Sequence, residues 1–264
     1  MISSKPNYSK IFLGELIGTF VLIFIGIGSV AIAVLYQCLN LYQIASIWTL
    51  AVTLGIYASK NWSGSHLNPA VTLAFLVTTN TGRKELIPNI LGQFVGSILA
   101  GISIYLIFSG DIASFEATNG IVRGTGNAEA SAMIFGEYYP NPGNTDLKEL
   151  SSTSAMLLEG VGTFILMLVI LLLINSKKMN EKLIPISIGL TVGILIVFIA
   201  PYTQAGFNPF RDFGPRLVSY FFGWTETAFS LPDNGFWTVY VLSPILGANL
   251  AAIVHSRLLK KKTV

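Results

Sequence analysis

Six apolar stretches, Ile11–Leu35, Ile44–Ser59, Ile87–Phe108, Thr153–Ile174, Leu183–Tyr202 and Gly235–His255, constrain this chain before any motif does. A helix needs about 20 largely apolar residues to cross the hydrocarbon core of a bilayer. All but the second stretch reach that length, and the second extends backwards through Leu41. Only 11% of the residues are charged, against about a quarter in soluble domains. The expected class is therefore an all-α membrane protein. The first stretch runs too long, with no cleavage site behind a short apolar core, to be a signal peptide, and is expected to be a retained helix.

The polar residues exclude several functions. Cys38 is the single cysteine, and His66 and His255 lie far apart, so neither a disulfide framework nor a cysteine-rich metal site is expected. No nucleophile-and-base pair, phosphate-binding loop or metal cluster is present, so neither an enzyme nor a bound cofactor is expected. A formal charge of +3 does not point to nucleic acid, because the basic residues flank the spans rather than forming one face. With both termini cytoplasmic, Lys5, Lys10, Lys60, Arg83, Lys84, Lys177, Lys178, Lys182, Arg257, Lys260, Lys261 and Lys262 all fall inside, which is 12 of the 16 basic residues. That agrees with the positive-inside rule. Residues 109–152 carry Asp111, Glu116, Glu129, Glu137, Asp146 and Glu149, and read as an external connection.

Two shorter apolar runs, Val71–Val77 and Phe213–Phe222, each follow an Asn-Pro pair and cannot cross a bilayer. They are predicted half-helices, and such irregular backbone is tolerated at membrane depth only inside protein or beside a watery cavity. The segment Glu15-Leu16-Ile17-Gly18-Thr19-Phe20 recurs as Glu159-Gly160-Val161-Gly162-Thr163-Phe164, each copy opening a three-span half that contains one Asn-Pro. A half with an odd number of spans must be inverted relative to its copy, as in many transport proteins. Residues 1–264 are thus predicted to form a single channel domain, with inverted repeats 1–110 and 151–264 joined by an external loop over 111–150.

Asn suits a helix cap and Pro the first turn, so Asn68-Pro69 and Asn208-Pro209 should each open a half-helix. The carboxamide oxygens would cap, leaving the NH₂ groups free to donate into a cavity where two positive dipole ends converge. Such a midplane passes neutral hydrogen-bonding solutes and repels protons and cations. Arg211 beside Asp212 is either one half of a local ion pair or a functional cation, since a membrane-embedded charge costs at least ~2.5 kcal/mol.

SGSHLNPAV (Ser63 to Val71), FNPFRDFGPR (Phe207 to Arg216), the paired glutamate openings, Gln93 with Gly96, and IVRG with YPNP (Ile121 to Gly124, Tyr139 to Pro142) together resemble the major intrinsic proteins, specifically their glycerol-facilitator (aquaglyceroporin) branch. The resemblance covers nearly the whole chain. It implies a homotetramer in the plasma membrane, each protomer holding six spans, two re-entrant half-helices and its own pore. It implies half-helix motifs formed by Pro69 and Ala70 and by Pro209, Phe210 and Asp212, midplane pore residues Asn68, Asn208 and His66, and an outer selectivity filter of Trp48, Ile196, Ala205 and Arg211. Glu15 and Glu159 would be structural carboxylates that accept hydrogen bonds from the non-helical backbone leading to each half-helix.

The chain departs from that pattern at Ile196 and Ala205, where glycerol facilitators resemble each other in carrying Gly and Phe, and at Tyr240, where they carry Pro. The expected solutes are therefore glycerol and similar polyols, water, and also urea, metalloid hydroxides and undissociated lactic acid. Phe210 stands where the family has Ala, so its ring should either displace the half-helix ends or fill a neighbouring gap. Two rivals stay open: a proton-coupled carrier using Glu15 and Glu159, and a closed structural or junction protein.

Overall fold

The structure, a computed structural model, describes residues 6–78 and 82–260. Lys5, Lys261 and Lys262, which the charge count assigns to the cytoplasmic side, lie outside the described residues. Among the described residues all regular structure is helical: α1 (Tyr8–Tyr36), α2 (Leu41–Ser59), α3 (Pro69–Thr78), α4 (Gly82–Thr118), a four-residue α5 (Glu129–Ala132), α6 (Ser152–Ile174), α7 (Ile184–Thr203), α8 (Pro209–Ser219) and α9 (Ser243–Lys260), the last entered through a widened turn over Phe236–Leu242. Six helical segments are long and apolar enough to cross a membrane.

Polar caps set the helix starts. Asn7 accepts from the Lys10 amide, Ser151 from the Ser154 amide, and Asn40 and Gln43 form a reciprocal capping box ahead of α2. That box is why the second span begins at Leu41.

The half-helices begin at Pro69 and Pro209, where the Asn-Pro pairs are expected to open them, two and four residues ahead of the apolar runs, and α8 stops at Ser219 rather than Phe222. The cap and proline decide where a helix starts, while the polar first turn of α8 hides it from an apolarity count. α4 continues to Thr118, so the first residues of the expected external connection are helical. At 1.5 Å per residue its 37 residues span about 55 Å, well beyond a hydrocarbon core of about 30 Å.

The two halves pack alike. In the first, α1 lies against α2 and α4; in the second, α6 lies against α7 and α9. Close approach is set by glycine: a Cβ on Gly96 would collide with the Leu16 carbonyl of α1, and one on Gly247 with the Gly160 carbonyl of α6. Each half-helix crosses over, α3 packing on α9 and α8 on α4, so the halves interlock around the points where the two half-helices begin.

Candidate functional site

The chain reaches each half-helix through a short non-helical loop with matching backbone. Ser65 and Leu67 in one loop, and Ala205 and Phe207 in the other, have φ of 51°, 52°, 66° and 55°. Alternate left-handed residues cannot make helical hydrogen bonds, and an unsatisfied amide in an apolar medium costs several kcal/mol. A buried carboxylate meets that need in each loop. Glu15 accepts from the His66 and Leu67 amides at 2.9 and 2.8 Å, and from Ser63 and Gln93. Glu159 accepts from the Gly206 and Phe207 amides at 3.0 and 2.9 Å, and from the Thr203 hydroxyl. The repeat thus extends from the sequence to individual hydrogen bonds. Tyr240 supports the second loop, its hydroxyl donating to the Thr203 carbonyl at 3.0 Å.

The half-helices meet at their N-termini. Asn68 Oδ1 accepts from the Ala70 amide, and Asn208 Oδ1 from the Phe210 and Arg211 amides. Each carboxamide then donates across the junction, Asn68 Nδ2 to the Phe207 carbonyl at 2.9 Å and Asn208 Nδ2 to the Leu67 carbonyl at 2.8 Å. The NH₂ groups are therefore not wholly free: one proton of each closes the junction and one remains for a solute. Phe210 does not part the half-helices. Its ring packs against Phe94 of α4, with centroids 5.4 Å apart, and fills that gap.

A cavity of about 410 Å³ runs past this junction. Its lining includes Lys60, Ile174 and Glu181, the junction residues His66, Asn68 and Asn208, and Trp48, Ile196 and Ala205. Aliphatic side chains, Val52, Ile188 and Val192 among them, line it together with the loops over 63–68 and 205–208. His66 stacks on Phe75 at 4.6 Å, and its Nδ1 lies 3.2 Å from the Thr72 hydroxyl.

Arg211 lies beside Trp48, its Cζ 4.7 Å from the centre of a Trp48 ring. The indole is seated by Gly26, where any Cβ would strike its six-membered ring. Arg211 does not pair with Asp212. Its Nε contacts a Glu137 carboxylate oxygen at 2.9 Å, and both side chains are buried. Asp212 instead binds Arg216 one turn on, at 2.9 and 2.8 Å, and accepts from the Glu137 amide at 2.6 Å. Arg216 also donates to the carbonyls of Glu137 and Ala228. Neighbours i and i+1 on a helix point apart whereas i and i+4 share a face, which explains the choice of partner. Glu137 had registered in the sequence only as one of several acidic residues of the external connection. Nothing there marked it out, since its partner is distant in sequence. Among the described residues no three His, Cys, Asp or Glu side chains cluster as metal ligands.

Comparison with known proteins agrees with this geometry. The family profile described as "Major intrinsic protein" matches residues 2–255. The chain is 33% identical over 249 residues to the glycerol uptake facilitator protein of Haemophilus influenzae, covering 93% of this chain and 92% of that protein. It is 36% identical over 244 residues to the protein of the same name from Pseudomonas aeruginosa, covering 91% and 85%. Its fold superposes on the X-ray structure of the aquaglyceroporin from Plasmodium falciparum with a TM-score of 0.80 and 25% identity, over 96% of this chain and 97% of that one.

Proposed function

The chain belongs to the major intrinsic protein family, and from that premise we propose that it is a passive channel for small uncharged solutes, glycerol and similar polyols first among them. The observation that carries the proposal is a cavity lined both by aliphatic side chains and by the two half-helix loops, including Asn68, Asn208 and Trp48. A polyol has the same two faces: its carbons slide along Trp48 and the aliphatic side, while its hydroxyls exchange partners along the loop carbonyls, the free protons of Asn68 and Asn208, and Arg211. The converging positive dipole ends repel cations and hydronium. Trp48, Ile196, Ala205 and Arg211 form the selectivity filter in this reading, and Asn68, Asn208 and His66 the midplane pore. Because Ala205 and Ile196 replace an aromatic corner with aliphatic surface, urea, undissociated lactic acid and metalloid hydroxides join water as further solutes. No bond is made or broken and no cofactor takes part.

Glu15 and Glu159 serve as scaffold in this reading, since loop amides and neighbouring hydroxyl and amide groups occupy both carboxylates. The assembly is a homotetramer in the plasma membrane with both termini cytoplasmic, as the basic flanks favour. Stopped-flow light scattering on proteoliposomes tests the proposal: glycerol re-swelling should run at least about tenfold faster than in protein-free vesicles. Fast water or lactic acid with slow glycerol would reassign the solute, and silence for every solute would return the chain to a closed structural role.

A further inference from the structure

We propose that Glu137, reaching inward from the external connection, is the counter-charge that keeps the outer constriction closed to anions. This rests on the channel reading above and extends it to a residue outside the two Asn-Pro motifs.

The electrostatics of the constriction are unbalanced without Glu137. Two half-helix N-termini point at the passage, each equivalent to roughly half a positive charge, and Arg211 adds a full one beside Trp48. Other carboxylates lie nearby, but their charge is already taken. Asp212 is held by Arg216 through both oxygens, and Glu159 accepts two backbone amides and the Thr203 hydroxyl. Glu137 is the carboxylate in ion-pair contact with Arg211, at 2.9 Å.

Its position is also protected. The Glu137 backbone is fixed at both ends of its peptide, the amide donating to Asp212 and the carbonyl accepting from Arg216. One carboxylate oxygen lies against Gly206 where a Cβ would otherwise sit, so the side chain stands behind the pore-lining backbone. From there it meets Arg211 at Nε and not at Nη1. Arg211 Nη1 is buried and has no protein hydrogen-bond partner. Glu137 therefore neutralises the guanidinium without occupying the donor that a passing hydroxyl needs. A neutral solute finds a hydrogen-bond donor, and an anion finds the guanidinium charge already cancelled, with only the weaker half-helix dipole ends left to offset its dehydration.

The prediction is a gain of function, which an unfolded protein cannot mimic. Vesicles in potassium nitrate with valinomycin swell only when nitrate also crosses, and nitrate has no neutral form at neutral pH. Wild-type vesicles should swell in glycerol and stay inert in potassium nitrate. Glu137→Gln keeps the shape and removes the charge, and should raise the nitrate rate about tenfold or more over wild type. Glu137→Asp retains the carboxylate and should remain tight, and adding Arg211→Gln to Glu137→Gln should close the nitrate path again. Glu137→Ala carries the same test if the glutamine variant is not recovered folded. A folded, monodisperse Glu137→Gln or Glu137→Ala channel that remains nitrate-tight overturns the proposal, whatever its glycerol rate. A nitrate path that persists in the double variant also overturns it, because the leak would then not run through Arg211. Failure of the channel reading shows separately, as absent glycerol swelling in the wild type.

Discussion

Asn68 and Asn208 close the centre of the molecule by exchange: each caps its own half-helix through Oδ1 and donates through Nδ2 to the loop carbonyl that precedes the other. Five hydrogen bonds make the junction, three capping the half-helices and two crossing between distant parts of the chain. Removing either carboxamide breaks it on both sides.

Asn208→Ala should therefore cost more than a lost cap. It strands the Phe210 and Arg211 amides and the Leu67 carbonyl, and an unsatisfied buried group costs about 1–3 kcal/mol. The expected result is a clear drop in the thermal unfolding temperature of the detergent-solubilised protein, together with slower glycerol flux. Asn68→Ala should behave alike, because its bonds mirror those of Asn208. A fall in flux with no change in stability would mean that the asparagines act on the solute alone.

The carboxylates give a second test. Glu159→Gln keeps the size but replaces one acceptor oxygen with a donor, opposing the Gly206 or Phe207 amide that now donates to it. The expected destabilisation is about 1–3 kcal/mol. Remaining glycerol flux should stay downhill and indifferent to an imposed proton gradient, in wild type and variant alike. Gradient-driven accumulation by the wild type that disappears in the variant would establish the proton-coupled carrier instead.

Trp48 depends on the absence of a side chain at residue 26. Gly26→Ala places a methyl group against the indole, so the ring must move toward the passage or the helices must part. Overpacking of this kind costs about 1–3 kcal/mol. Glycerol permeability should fall at least about fivefold while water permeability falls less, measured by swelling and shrinkage of the same vesicles. Equal loss for both solutes would show that Trp48 does not set the width.

These relationships were legible to different degrees in the sequence. Length and apolarity revealed the spans, because the bilayer leaves little choice for such segments. The recurring Glu-x-x-Gly-Thr-Phe block and the two Asn-Pro pairs revealed the inversion, because caps and prolines act locally. The start of α8 was legible from Asn208-Pro209 but not from apolarity, because Arg211 and Asp212 make its first turn polar. The reach of α4 to Thr118 was hidden because its last residues leave the apolar zone and carry no membrane signature. Phe210 could not be decided, since the space beside it belongs to Phe94, on a helix of the other half. Glu137 was invisible for a similar reason: only tertiary folding carries the external connection down to Arg211.

Arg216 shows how firmly that connection is held. Its side chain is fully buried and joins Asp212, one turn away, to the carbonyls of Glu137 and Ala228, with Tyr138 and Phe229 ring centres 5.0 and 5.9 Å from its Cζ. Breaking one side of a buried ion pair costs about 3–5 kcal/mol, because the remaining charge is left without a partner, whereas replacing both partners with apolar groups of similar volume is often near neutral. Arg216→Met should thus lower the unfolding temperature strongly, and Asp212→Asn somewhat less, since Arg216 keeps its carbonyl acceptors. The double variant Asp212→Leu with Arg216→Met should recover part of the loss but not all of it, because there the Glu137 amide and carbonyl both lose their partners. Stability and filter function should therefore separate. The double variant should be more stable than Arg216→Met and still have altered glycerol-to-water selectivity, because Glu137 and hence Arg211 are no longer anchored. Recovery of both properties together would mean that the Asp212–Arg216 pair positions nothing beyond itself.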